Sequence, residues 1–243
     1  MSSPRLHLAQ PLVAGARIAI EGDRAHYLRT VLRLREGAEV QLFNAVAGEW
    51  RARLAQVGRH RVEIVVAEQL RPPRALAGPA LILAPIRRQR LEWLLERAVE
   101  LGLRALVPIL TRRTVVRPAD AGRLRTIAVE AAEQCGRLDV PTIAEPISLE
   151  QWLATRAVGS TVLYADEHDR RAPLLSALQR EPGADLLIGP EGGFAPEERE
   201  ALLAQDDIRS VGLGPLTLRT ETAALAALAA WRLAHDRRQL GGA

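Results

Sequence analysis

Apolar and polar residues alternate in short runs through the first part of the chain: Ala16–Ile20, Glu39–Phe43, Glu49–Val57 and Arg61–Ala67. A period of two marks strands with one buried face. Gly15, Gly22, Gly37, Gly48 and Gly58 separate these runs, so the spacing predicts a small β-barrel. One helix is expected near Arg24–Arg33. On it, Leu28, Val31 and Leu32 would share one face, and His26, Arg29 and Arg33 the opposite one. The segment Arg71–Gly78 contains Pro72-Pro73, which stops any regular element. It divides the chain into a barrel, 1–72, and a second domain, 73–243.

Beyond that break the pattern changes. Short apolar runs at Leu81–Ala84, Ala105–Ile109, Thr161–Tyr164, Leu186–Ile188 and Ile208–Leu213 alternate with helical periods. Those periods fit Arg88–Leu101, Arg123–Cys135, Pro196–Ala204 and Glu221–Arg237. Strand–helix alternation of this kind predicts an α/β domain with a largely parallel sheet. On the first helix Leu91, Leu94, Leu95, Ala98 and Leu101 form the buried stripe. Trp93 lies off it and suits a self-association contact. On the second helix Cys135 falls on the apolar face and reads as a small core residue.

Composition narrows the function classes. With 243 residues and 48% hydrophobic content, the chain is a globular protein of one large or two smaller units. A single cysteine excludes a disulfide framework and a multi-cysteine zinc site. The five histidines are scattered, so no metal is expected. The N-terminus lacks the apolar core of a signal peptide, and Thr222–Trp231 is too short to span a bilayer. A cytoplasmic location is therefore expected.

Charge changes the picture more than its total suggests. All 33 basic side chains are arginine and the net charge is +4. Residues 1–78 hold a balance of +5, and the remainder −1. The barrel is therefore the part that a polyanion would feel. In the second domain, Arg87-Arg88-Gln89-Arg90 stands at a helix N-terminus, where cations oppose the helix dipole. Local stability does not explain that cluster, which favours an anionic partner. Glu130, Gln134 and Arg137 line up on a polar face of the second helix.

Two glycine loops carry the most chemistry. Leu186-Leu187-Ile188 runs into Gly189-Pro190-Glu191-Gly192-Gly193-Phe194, and Pro196 then opens a helix. Ile208–Val211 runs into Gly212-Leu213-Gly214-Pro215, and a helix begins near Arg219-Thr220-Glu221-Thr222, with Thr220 suited to cap it. Ligands of open α/β sheets bind beyond the carboxyl ends of strands, so two such loops suit a nucleotide-like molecule held by main-chain groups. Neither loop matches a P-loop or G-x-G-x-x-G, which counts against ATP, GTP and NAD.

Ile188-Gly189-Pro190-Glu191-Gly192-Gly193-Phe194, with Leu213-Gly214-Pro215 and Leu218-Arg219-Thr220-Glu221-Thr222-Ala223, closely resembles the RsmE family. These are uridine N3-methyltransferases of the small-subunit ribosomal RNA, in the SPOUT class. Three further matches follow in order: His26 with Val31-Leu32-Arg33 and Gly37, then Arg90-Leu91-Glu92-Trp93 through Glu100-Leu101-Gly102, then Glu130-Ala131-Ala132-Glu133-Gln134 with Gly136-Arg137. The family usually has Arg then Ile after Leu-Gly-Pro; here Leu216-Thr217 stand there.

The resemblance implies a PUA-like RNA-binding barrel and a SPOUT α/β domain with a deep trefoil knot. It implies S-adenosylmethionine as donor, and a homodimer with active sites near the subunit interface. The implied target is N3 of uridine 1498 of 16S rRNA in the small ribosomal subunit. Arg219 and Glu221 become the catalytic candidates. Leu163, Tyr164, Ile188, Gly189, Pro190, Glu191, Gly192, Gly193, Leu213, Gly214, Pro215, Leu218 and Thr220 become the cofactor-binding candidates. His26, Arg29, Arg33, Arg87, Arg88 and Arg137 are the RNA-binding candidates. Two alternatives stand beside this expectation: a SPOUT enzyme with another RNA target, and a non-catalytic RNA-binding or assembly protein.

Overall fold

The computed structural model describes residues 3–74, 77–157, 159–168 and 172–241. Ala75 and Leu76 of the expected linker lie outside the described residues. The chain forms two compact units, one of residues 1–76 with 132–140 and one of 77–131 with 141–243. The first break falls close to the double proline. The return of 132–140 to the first unit has no signature in the sequence.

The first unit holds β1 (Arg5–His7), β2 (Arg17–Glu21), α1 (Gly22–His26), a π-helical turn (Tyr27–Val31), β3 (Glu39–Asn44), β4 (Gly48–Val57) and β5 (Arg61–Arg71). Its five strands lie in the order β1-β3-β4-β5-β2, antiparallel except for the parallel β1–β3 pair. The alternation seen in the sequence becomes burial: Ile18 and Ile20 point inward from β2, and Val62, Ile64 and Val66 from β5. Gly48 sits at φ 77°, and a Cβ there would lie 2.2 Å from the Arg71 carbonyl oxygen, so only glycine lets β4 begin beside the end of β5.

The sequence pattern does not show β1, because three residues carry no period. Interactions with the rest of the unit hold it. The Arg5 guanidinium lies 4.2 Å from the Phe43 ring centroid and donates to Glu49 at 2.7 Å. It also donates to the carbonyl oxygens of Ala132, Glu133 and Arg137. These include carbonyls left open at a helix end, which a cation satisfies well.

The expected helix over Arg24–Arg33 needs correction. The α-helical part ends at His26, the next turn is π-wound, and Arg33 lies past the end in the left-handed region at φ 53°. Wider winding breaks the spacing that would align His26, Arg29 and Arg33. It also turns Val31 outward, 61% exposed, while Leu28 stays fully buried.

The second unit contains β6 (Ala80–Leu83), α2 (Arg88–Glu100), β7 (Ala105–Leu110), α3 (Ala121–Cys135, which runs on into the first unit), β8 (Thr142–Ile143), β9 (Ile147–Ser148) and α4 (Leu149–Thr155). It continues with β10 (Val162–Ala165), α5 (Leu174–Arg180), β11 (Asp185–Ile188), α6 (Pro196–Leu203), β12 (Ile208–Val211) and α7 (Thr220–Gly241). The strand order is β12-β10-β11-β6-β7-β8, with β9 also on β7, and every pair is parallel. Full burial of β6 fits a strand covered on both faces. α4 and α5 have seven residues each, too few for a readable helical period. Among the described residues no helix is long and apolar enough to cross a membrane.

On α3, Leu124, Ile127, Ala128, Ala131 and Ala132 are buried as expected, but Cys135 is only half-buried, because the helix ends there.

Candidate functional site

Three neighbouring strands, β12, β10 and β11, end side by side: Ala165 pairs with Ile188 on one flank and with Val211 on the other. The chain reverses direction across the sheet at this place, since β11 is inserted between β10 and β6. A parallel sheet leaves a crevice at such a switch point. A pocket opens there, lined by Tyr164–His168, Ile188–Glu191, Gly193, Phe194, Arg199, Gly212–Leu218, Thr220 and Ala223.

The glycines shape its wall. A Cβ on Gly189 would stand 2.8 Å from the Phe194 ring, which in turn packs edge-on against Tyr164 at 5.3 Å. Gly193 turns back to donate to the Pro190 carbonyl at 2.9 Å, at φ 67°. Gly214 sits at φ 116°, open only to glycine at little strain. The Thr220 hydroxyl, expected as a cap, donates to the Gly189 carbonyl at 3.2 Å and fastens the start of α7 to the first glycine loop.

The floor is acidic and fixed. Asp166 is buried, and its carboxylate accepts from Arg199 at 2.7 and 2.9 Å and from the His168 backbone N–H at 3.0 Å. Burial, reinforced by the neighbouring Asp166 charge, pushes the Tyr164 phenol well above its ordinary range, so it stays neutral. Glu167 and Glu191 also face the pocket. Sequence reasoning does not single out Asp166, Glu167, His168 or Arg199. Their signal is positional: the first three follow the carboxyl end of β10.

Of the cofactor-binding candidates, Tyr164, Ile188, Gly189, Pro190, Glu191, Gly193, Leu213, Gly214, Pro215, Leu218 and Thr220 line this pocket. Leu163 and Gly192 do not. Leu163 is buried within the sheet, and Gly192 presents its carbonyl to Arg113 at 2.7 Å. Leu216 and Thr217, the departures from the family pattern, both line the pocket, with Leu216 75% exposed.

Glu221 is buried in the first turn of α7. One carboxylate oxygen lies 3.5 Å from Arg90, and the other is buried without a hydrogen-bond partner. Arg90 also donates to Glu191 at 2.7 Å. Arg219, just before the helix, is exposed. Neither Arg219 nor Glu221 is part of the pocket lining, although Thr220 between them is.

The expected RNA contacts separate. Arg87 and Arg88 are exposed at the start of α2, with Arg88 paired to Glu92 at 2.8 Å. His26 and Arg33 are exposed and Arg29 is half-buried. Arg137 is corrected: it is buried and forms a two-point pair with Asp139 at 2.9 and 3.1 Å, an arrangement that occupies the guanidinium within the fold. A surface row with Glu130 and Gln134 does not form, because the helix ends at Cys135.

Comparison with known proteins agrees with this geometry. A family model described as an RNA methyltransferase domain matches residues 78–232, and one described as an RNA methyltransferase PUA domain matches 20–67. A protein of Rickettsia conorii named ribosomal RNA small subunit methyltransferase E is 31% identical, over 96% of each chain. One of the same name from Bacillus subtilis is 32% identical over 91% of each. Among solved structures, a ribosomal RNA small subunit methyltransferase E from Neisseria gonorrhoeae bound to S-adenosylmethionine superposes with a TM-score of 0.85. It is 27% identical, over 98% of both chains.

Proposed function

The chain belongs to the RNA methyltransferase family, in its RsmE branch, and from that membership we propose that it methylates N3 of uridine 1498 of 16S rRNA in the small ribosomal subunit, with S-adenosylmethionine as donor. The observation that carries this reading is the pocket at the ends of β10, β11 and β12, built from the two glycine motifs that mark the family. Its chemistry fits the donor. Ile188, Leu213, Leu218 and Phe194 offer apolar walls for adenosine, main-chain groups of the loops offer hydrogen bonds, and the Glu167 carboxylate complements a sulfonium and an ammonium charge. We assign the deep trefoil knot that the resemblance implies to the chain around these strand ends.

The donor, when bound, supplies an electrophilic methyl group. The protein's part is alignment, which can supply roughly 7–11 kcal/mol of the barrier. Removal of the N3 proton is the second task. Glu221 is assigned as the acceptor: its unpartnered oxygen is available, while Arg90 stands beside the other. Arg219 is assigned to the developing charge on the uracil or to its phosphate. His26, Arg29 and Arg33 on the first unit, and Arg87 and Arg88 on the second, are assigned to RNA. A base in a folded ribosomal helix must leave its stack to be methylated. Exposed Trp93 on α2 and Leu233 on α7 are assigned to a homodimer contact, and a cytoplasmic location is assigned along with the ribosomal substrate.

The test incubates the protein with labelled S-adenosylmethionine and unmodified small subunits and identifies the labelled nucleoside by mass. 3-Methyluridine at position 1498 is expected. Label in another nucleoside or at another position would move the enzyme to a different target, and no donor binding by calorimetry would leave an RNA-binding protein.

A further inference from the structure

Between β7 and α3 the chain runs through Thr111–Asp120 without helix or strand. Its ends are fixed. The Thr111 N–H donates to the Thr114 hydroxyl at 2.9 Å, and the Arg112 N–H donates to Glu198 at 2.7 Å. At the far end the Asp120 carboxylate accepts from the Arg123 N–H at 2.7 Å, at the start of α3. Between these anchors stand Arg112, Arg113 and Arg117, with no acid before Asp120.

Nothing in folding accounts for the middle of this loop. Val115 is 94% exposed, the most exposed large apolar side chain among the described residues. Arg117 is exposed and pairs with no carboxylate among the described residues. Arg112 approaches Glu197 at 3.3 Å, but both side chains are well over half exposed, and such pairs contribute little. A phosphate could replace Glu197 at small cost.

Arg113 gives the loop its location. Its guanidinium donates to the Gly192 carbonyl at 2.7 Å, and its aliphatic stem lies alongside Gly192, in the glycine loop that frames the pocket. Arg113 therefore brings the first part of the loop against the glycine loop that frames the pocket, and Arg112 borders α6 beside it. Binding residues are disproportionately carried on loops that a rigid scaffold holds in place.

We propose that Thr111–Asp120 is an RNA-contact loop of the second unit, in which Arg112 and Arg117 take backbone phosphates and Val115 packs on a base or ribose. Arg113 ties that contact to the glycine loop. The inference rests on the RNA substrate proposed above and adds a surface that neither the His26–Arg33 segment nor the start of α2 contains.

The experiment uses the full chain and unmodified small subunits. Binding is measured across a salt series for Arg112→Glu/Arg117→Glu and for Val115→Ser, with donor affinity measured by calorimetry. The charge variant is expected to bind about tenfold more weakly or worse, with the salt slope reduced by about one for each phosphate no longer neutralised. Val115→Ser is expected to weaken binding while keeping the slope, and both variants to keep wild-type donor affinity. Wild-type subunit binding and slope in the charge variant would overturn the proposal. So would a parallel loss of donor affinity, which would make the loop a support of the pocket. If the wild-type protein binds subunits but transfers no label, the methyltransferase reading fails while the effect of the loop on binding remains readable.

Discussion

The guanidinium of Arg90 and the carboxylate of Glu221 stand 3.5 Å apart, joining the start of α2 to the first turn of α7. The same arginine nitrogen donates to Glu191 in the first glycine loop. One cation thus serves two carboxylates, and the Glu221 oxygen it does not approach is buried and unpartnered. A buried carboxylate oxygen without a partner is uncommon in a folded protein.

Glu221→Gln keeps the shape and removes the proposed base. Turnover is expected to fall by about 10²–10⁴-fold, with donor affinity by calorimetry unchanged. A double-mutant cycle with Arg90→Ala should be strongly non-additive in kcat, and additive effects would separate the two residues.

Arg219→Ala should abolish most methylation while leaving the thermal midpoint near wild type, since the side chain is exposed and surface changes stay within about 0.5 kcal/mol. Steady-state kinetics beside a melting curve read both quantities. Near-normal turnover would remove Arg219 from the reaction.

Gly189→Ala places a methyl group 2.8 Å from the buried Phe194 ring. Overpacking of this kind costs about 1–3 kcal/mol. Because the displaced ring lines the pocket, donor affinity should fall together with stability. Calorimetry and denaturant titration are expected to move together.

Glu49 gives the first unit a pH dependence. Burial opposes its charge, but hydrogen bonds and charge from Arg71 and Arg5 outweigh burial and hold its carboxyl below the usual value of 4.5. A depressed folded value means stabilisation that is complete above the unfolded value and is lost as pH falls through the folded one. Glu49→Gln should therefore cost about 3 kcal/mol at neutral pH. The gap to wild type should narrow in acid, below about pH 4. A gap constant from about pH 7 to about pH 3 would show that the charge contributes nothing.

Much of this architecture could be read locally. The nine strands expected from the sequence lie within a few residues of their limits, because side-chain alternation and short apolar runs are properties of neighbouring positions. Features with too few residues to show a period, such as β1, α4 and α5, escape such a reading. The π turn at Tyr27–Val31 escapes it for another reason: its winding is not encoded by the spacing of leucines and valines. Arg137 has the pattern of a surface cation and is buried against Asp139.

The sequence by itself determined the longer strands, where glycine must stand, and which motifs mark the family. Only the tertiary structure decided that β11 lies between β10 and β6, that Asp166 forms a floor, and that Arg90 reaches Glu221. Parallel pairing brings together strands separated by whole helices, and the identity of a strand's partner leaves no trace in its own side-chain pattern. The pocket exists because three strand ends meet, so its membership could be settled only once the chain had folded.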